Sequence, residues 1–202
     1  MYDPFIRGPH PVGVRTVTLV DETRGERTLP VELWYPATAA SAGQDLDEAT
    51  RDTFEVFPGL PPVWQEAVRD AEPQAGMFPL VAFSHGFGGH RRQSTFLCTH
   101  LASHGYVVAA ADHTGNTLMD VVQLMVAIQG GAPMPDVKES LGQFIELRPG
   151  DVRVMLDRVI SGAGDLAAQI DVSRIGMTGH SFGGWTTLMM AGQDRRIRAA
   201  LP

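Results

Sequence analysis

The run Gly179-His180-Ser181-Phe182-Gly183-Gly184 places a serine between glycines at the spacing G-x-S-x-G. A serine hydroxyl is a weak nucleophile at neutral pH and attacks a carbonyl only when a base takes its proton. What the run contributes is position. Residues 174–178 read as a short buried strand, and 185–191 read as an apolar helix closed by Gly192. A serine at the apex of a sharp strand-to-helix turn, a nucleophile elbow, stands clear of the sheet where a base and an acyl group can reach it. Gly179, Gly183 and Gly184 permit that turn, because no Cβ obstructs the strained backbone or the close approach of helix to sheet. The chemistry in view is acyl transfer through a covalent intermediate on Ser181.

A second run, His85-Gly86-Phe87-Gly88-Gly89, follows the continuous apolar stretch 80–84. Such a stretch suits a central parallel strand buried on both faces. A tetrahedral oxyanion needs backbone N–H donors aimed at it from a fixed position. The amides of Phe87 and of Phe182, the residue after the nucleophile, are the candidate donors, and their rings are expected to wall the acyl pocket. Two motifs in this order make coincidence much rarer than either motif alone. Trp185 and His180 are further candidate pocket residues. The His180 ring is expected beneath the turn, and His85 is expected to brace the loop rather than act as a base.

The remaining histidines offer less. His113 follows a strand, with Asp112 as its neighbour, but adjacent side chains on extended backbone point apart and make a poor dyad. His100 and His104 have the i, i+4 spacing of a zinc pair. The residues between them lack the glutamate of H-E-x-x-H and no third ligand is evident, so the reading is a solvated helix end and no metal. Cys98 reads as a core residue.

The elements that must position these groups follow from periodicity. Residues 14–19 and 29–35 form an opening antiparallel hairpin around the charged turn 21–27. Residues 37–76 are a long excursion with a short helix predicted over 62–71. Residues 93–103 read as a helix with Phe96, Leu97 and Leu101 inward, and 106–111 as a buried strand. Residues 118–128 form a strongly apolar helical pattern, and the Met-rich stretch 118–134 reads as a buried helix, with a lid or a lipid-facing surface as the alternative. Pro149-Gly150-Asp151 opens a helix whose inner face is Val152, Met155, Leu156 and Val159. Residues 197–201 read as a final strand. Strands alternating with helices imply an α/β fold, with a mostly parallel sheet and helices on both faces.

At these residues the chain resembles the α/β-hydrolase superfamily, and within it the platelet-activating-factor acetylhydrolase and dienelactone-hydrolase-like serine esterases, which are related to cutinase-type polyester hydrolases. The matching stretches are Leu29-Pro30-Val31-Glu32-Leu33-Trp34-Tyr35-Pro36, Phe83-Ser84-His85-Gly86-Phe87-Gly88-Gly89, Leu101-Ala102-Ser103-His104-Gly105-Tyr106-Val107-Val108-Ala109 and the elbow itself. The resemblance implies an esterase with Ser181 as nucleophile and the Phe87 and Phe182 amides as oxyanion hole. Dienelactone hydrolases proper use cysteine, so their specific activity is not implied. In this superfamily the triad runs Ser, then Asp or Glu, then His. After Ser181 the chain holds no histidine, and its one acid there is Asp194. The expectation is therefore one incomplete catalytic domain over residues 1–202, truncated after the strand that follows the nucleophile helix, with acid and base outside it. A missing C-terminal segment or a second chain is expected to cover the terminal strand edge. Thioester hydrolysis and acyl transfer use the same apparatus, and a binding protein on a hydrolase fold is the non-enzyme alternative.

Composition bounds the rest. The 202 residues are 44% apolar and 19% charged, and they carry a net charge of −7. That charge, without a basic stripe, excludes nucleic acid as an expected partner. The single cysteine excludes an intrachain disulfide. No signal pattern opens the chain and no stretch reaches the length of a membrane span, so a cytoplasmic enzyme is expected, or a secreted one after signal removal. The expected substrate is a small or lipid-like ester, with no cofactor and no stable membrane insertion.

Overall fold

The structure is a computed structural model that describes residues 5–202. Residues 1–4, part of the N-terminus read above as lacking a signal, lie outside the described residues. Strands β1 (Val12–Asp21) and β2 (Arg27–Pro36) pair antiparallel from Val12 opposite Pro36 to Asp21 opposite Arg27. Gly25 turns the chain between them at φ 70°, in the left-handed region open to glycine. The excursion contributes three two-residue strands, β3 (Thr53–Phe54), β4 (Val63–Trp64) and β5 (Val68–Arg69). The helix expected over 62–71 is absent. Trp64 pairs with Thr53, and Val68 adds in parallel beside Gly13, so these segments are extended.

Four parallel strands complete the main sheet: β6 (Phe78–Ser84), β7 (Val107–Ala111), β8 (Ile170–Gly179) and β9 (Ile197–Leu201). The order across the sheet is β5-β1-β2-β7-β6-β8-β9. The helices are α1 (Thr95–Ser103), α2 (Leu118–Gln129), α3 (Val137–Ile160) and α4 (Phe182–Gln193). β7 shows why the sheet is buried on both sides. Val107, Ala109 and Ala111 pack with Val152, Met155 and Leu156 of α3, while Val108 and Ala110 pack with Cys98 and Ala102 of α1 on the other face. The inner face of α1 is thus Cys98 and Ala102; Leu97 and Leu101 are only partly buried, and Phe96, expected inward, is 76% exposed.

Two helices depart from the sequence reading. α3 does not open at Pro149 but runs straight through it for 24 residues. A proline inside a helix removes one backbone donor and crowds the preceding turn. Here that turn carries Arg148, whose buried hydrogen bonds to the loop after β6 hold it in place. α2 has no buried residue at all, although it is the most apolar stretch of this region. It stands off the sheet, so the expected buried helix is not what forms.

What positions the site is register. Ser84 at the end of β6 lies opposite Ala111 of β7 on one side and Gly179 of β8 on the other. The three strands end level, and the loops 85–89, 112–116 and 180–181 leave the sheet side by side. Ligands of open parallel sheets bind at this carboxyl edge.

Candidate active site

Ser181 is the N-cap of α4 and sits at φ 55° and ψ −113°. A positive φ with this ψ is a sparsely populated conformation for a residue with a Cβ and costs on the order of 1–3 kcal/mol. The neighbours enforce it. The His180 amide donates to the Ser84 carbonyl at 3.1 Å, and the Gly183 amide donates to the His180 carbonyl at 2.8 Å. The result is an exposed Ser181 whose hydroxyl has no hydrogen-bond partner among the described residues. The helix that follows presents the Phe182 amide as one of its first N–H groups, which have no partner inside the helix.

Two of the three glycines read from the motif are required sterically. A Cβ on Gly183 would lie 1.9 Å from the Ser84 carbonyl oxygen, and one on Gly179 would lie 2.4 Å from the Gly183 carbonyl. Both obstacles are backbone and cannot rotate away. Gly184 is less constrained, with its nearest obstacle at 3.2 Å. Gly183→Ala is therefore expected to push α4 off β6, lowering stability by about 1–3 kcal/mol. Chemical denaturation checks it, and a wild-type midpoint in the variant would refute the close-approach argument.

The loop after β6 is clamped from several sides. Gln93 Oε1 accepts from the Gly86 amide at 2.8 Å, and Gln93 Nε2 reaches His180 Nδ1 at 3.0 Å. One side chain thus ties the loop to the elbow. Gly89 bridges to Thr117, and the Leu118 amide donates to the Gly89 carbonyl at 2.9 Å, so the loop also anchors the start of α2. His85 is fully buried. Its Nε2 accepts from the His113 amide at 3.0 Å and its Nδ1 meets the Gly86 carbonyl at 2.7 Å. Burial, then the nearby His113 and Arg148, hold its pKa well below the usual imidazole value. Neutral and enclosed, it braces the loop as its place in the sequence suggests.

Phe87 and Phe182 come together, their ring centroids 6.5 Å apart. Neither of their amides donates to another protein group among the described residues. The Phe182 ring stacks on Trp185 at 5.3 Å and 17°. Trp185 therefore supports the pocket wall from the elbow helix. His180 is exposed rather than beneath the turn, because the tight Gly179–Gly183 contact leaves no room there.

Sequence reasoning missed a buried relay beside this site. Ser84 Oγ lies 2.8 Å from His113 Nε2, and His113 Nδ1 lies 3.0 Å from Asp151 Oδ2. The connectivity is that of a serine–histidine–aspartate triad, but Ser84 and Asp151 have no exposed surface and His113 is 1% exposed. No acyl group can reach Ser84, so the relay is structural. The expected neighbour Asp112 is engaged elsewhere, by the Arg91 amide and guanidinium. Burial lowers the His113 pKa against the opposing pull of Asp151. Burial would raise Asp151, but hydrogen bonds from Arg27 and His113 outweigh it and hold the carboxyl at about 2. A signal for these residues was present. Extending the inner face of α3 back one turn from Val152 reaches Arg148, with Asp151 between.

The rings of His100 and His104 lie 4.6 Å apart, tilted by 56°, at the C-terminal end of α1. Among the described residues no group of three or more His, Cys, Asp or Glu side chains is placed to hold a metal ion. Likewise no helix among them is long and apolar enough to cross a membrane.

The family model for platelet-activating factor acetylhydrolase, isoform II, matches residues 59–125. The platelet-activating factor acetylhydrolase of Canis lupus familiaris is 29% identical over 172 residues, covering 70% of this chain and 37% of that protein. Cutinase 2 of Thermobifida cellulosilytica is 32% identical over 126 residues, covering 62% of this chain and 38% of that protein. The solved structure of a ferulic acid esterase from Streptomyces cinnamoneus superposes with a TM-score of 0.68 at 32% identity, over 98% of this chain and 59% of that one. The chain belongs to the α/β-hydrolase superfamily. Within it, the chain is similar to acetylhydrolase-like and cutinase-like esterases. Its matches span little more than a third of the curated relatives' length. The hydrolase fold explains the level strand ends, the elbow after β8 and the loop after β6 as one arrangement.

Proposed function

We propose that this hydrolase is a serine ester hydrolase acting through an acyl-enzyme on Ser181. The observation that carries the reading is the strained, exposed serine at φ 55° with an unengaged hydroxyl at the carboxyl edge of the sheet. In the proposed cycle Ser181 Oγ attacks the ester carbonyl while a base takes its proton. The Phe87 and Phe182 amides hold the resulting oxyanion until the alcohol leaves, and water then releases the acid. The base and its acid are taken to come from polypeptide outside these 202 residues, since His113 is buried in the relay and His85 in the loop after β6.

The substrate is an ester with an apolar chain. A cleft of about 490 Å³ opens between the elbow and α2, lined by Phe87, Phe182, Val121, Met125, Ile128 and Leu141 among others. Phe87 and Phe182, whose amides are the proposed donors, are among the residues that line it. A chain seated there gains about 0.8 kcal/mol per buried methylene, close to fourfold in specificity constant. Leu141→Glu is expected to cut kcat/KM on octanoyl esters by about 10–100-fold while acetyl esters change little. Equal losses on both would place the acyl chain elsewhere. The proposed reaction is tested with p-nitrophenyl esters and an active-site phosphonate on the full-length protein. Neither turnover nor labelling would leave a hydrolase fold without hydrolase chemistry.

A further inference from the structure

We propose that Arg148 is the positioning residue of the oxyanion-binding loop, holding the Gly86–Phe87 peptide with its N–H toward the ester; this rests on the hydrolytic reading above. Arg148 is 1% exposed, a rare state for a guanidinium, and among the described residues its two Nη groups are matched while its Nε has no partner. It comes from α3, on the side of the loop away from solvent. Its Nη1 donates to the His85 carbonyl at 2.6 Å, and its Nη2 donates to the Gly86 carbonyl at 3.1 Å and to Asn116 Oδ1 at 2.5 Å. The Gly86 carbonyl takes two further donors, His85 Nδ1 at 2.7 Å and the Gly89 amide at 3.1 Å. An oxygen held by three donors cannot swing without losing all of them.

The consequence follows from peptide geometry. In a planar trans peptide the C=O and the following N–H point in opposite directions. Fixing the Gly86 carbonyl on Arg148 aims the Phe87 N–H the other way, out of the protein interior. The same guanidinium lies 4.5 Å over the ring of Phe182, the residue that carries the second donor. One side chain therefore touches both halves of the proposed oxyanion hole. Donors held before the reaction need no reorganisation as charge develops, which is where such sites gain most of their effect. Burial lowers the Arg148 pKa to about 10, so it stays cationic at neutral pH. Lysine cannot substitute, because a single ammonium does not span the three separate acceptors that the planar fork reaches.

Arg148→Lys and Arg148→Met in the full-length protein test this. Both are expected to lower kcat by about 100-fold, with KM within about threefold of wild type. Affinity for a boronic-acid analogue of the tetrahedral intermediate should fall by the same factor as kcat. A merely structural role would lower the melting temperature and leave kcat and analogue affinity intact below it, and that result overturns the proposal. If neither variant folds, a crystal structure of the wild type with the analogue decides. A Gly86 carbonyl on Arg148 with the Phe87 N–H on the oxyanion mimic upholds it, and a carbonyl turned off Arg148 overturns it. If the wild type hydrolyses no ester, the hydrolytic reading fails separately. The Gly86–Phe87 peptide in crystals of the variants then decides the positioning claim: unmoved overturns it, rotated upholds it.

Discussion

Ser181→Ala is expected to reduce ester turnover by about 10⁶-fold and to abolish phosphonate labelling, while the protein keeps its stability. The size of the loss follows from what remains. Without the nucleophile no acyl-enzyme forms, and only oxyanion stabilisation and binding persist, as in serine hydrolases generally. Stability should shift by no more than about 0.5 kcal/mol, because Ser181 is exposed and its hydroxyl holds no partner. Alanine keeps the Cβ, so the positive-φ backbone of the elbow is neither relieved nor worsened. Residual activity above about 1% of wild type, once contaminating enzyme is excluded, would move the nucleophile away from this elbow.

Asp151→Asn is expected to cost about 3 kcal/mol, which for a chain of this size is a melting temperature lower by about 10 °C. Asp151 has no exposed surface and meets Arg27 through both oxygens, at 2.7 and 2.9 Å. Arg24 lies 3.0 Å from the same carboxylate, and His113 completes the set. Removing the charge leaves Arg27 without its counter-ion and Arg24 with Asp21 alone. The pH dependence follows from the depressed pKa, about 2 against an ordinary 3.8. A carboxyl depressed in the folded state stabilises fully above its unfolded value and loses that contribution as pH falls through the folded value. Asp151 thus contributes about 2 kcal/mol at neutral pH that disappears between about pH 5 and pH 2. Urea denaturation across that range should show the wild type losing stability more steeply than Asp151→Asn. Parallel curves would mean the carboxylate is not the group that links the relay to acid.

Loss of Asp151 also bears on the site. His113 would lose the acceptor that fixes its ring, and with it the orientation of the backbone amide that braces His85. The relay and Arg148 meet at one place, the carbonyls of His85 and Gly86 and the Ser84 hydroxyl. The proposed oxyanion loop is therefore supported from beneath by charge that no solvent reaches.

Legible from the residues were the elbow, the glycine-rich loop, the alternation of strand and helix, and the parallel strands read over 80–84 and 106–111. These are local matters. Apolar runs declare buried strands, and Gly183 is glycine because a Cβ would sit on the Ser84 carbonyl. Where the His180 ring goes, where the apolar helix sits and whether Pro149 starts α3 were decided only in three dimensions. α2 reads as a core helix because its residues are apolar, and only packing shows that the sheet faces are already filled by α1 on one side and by α3 and α4 on the other. Periodicity can put Arg148 and Asp151 on the inner side of α3, but their partners lie 63 and 124 positions away. Burial of a charge depends on a partner that the neighbouring sequence does not contain, so the helix pattern gives their face and the tertiary structure gives what they support.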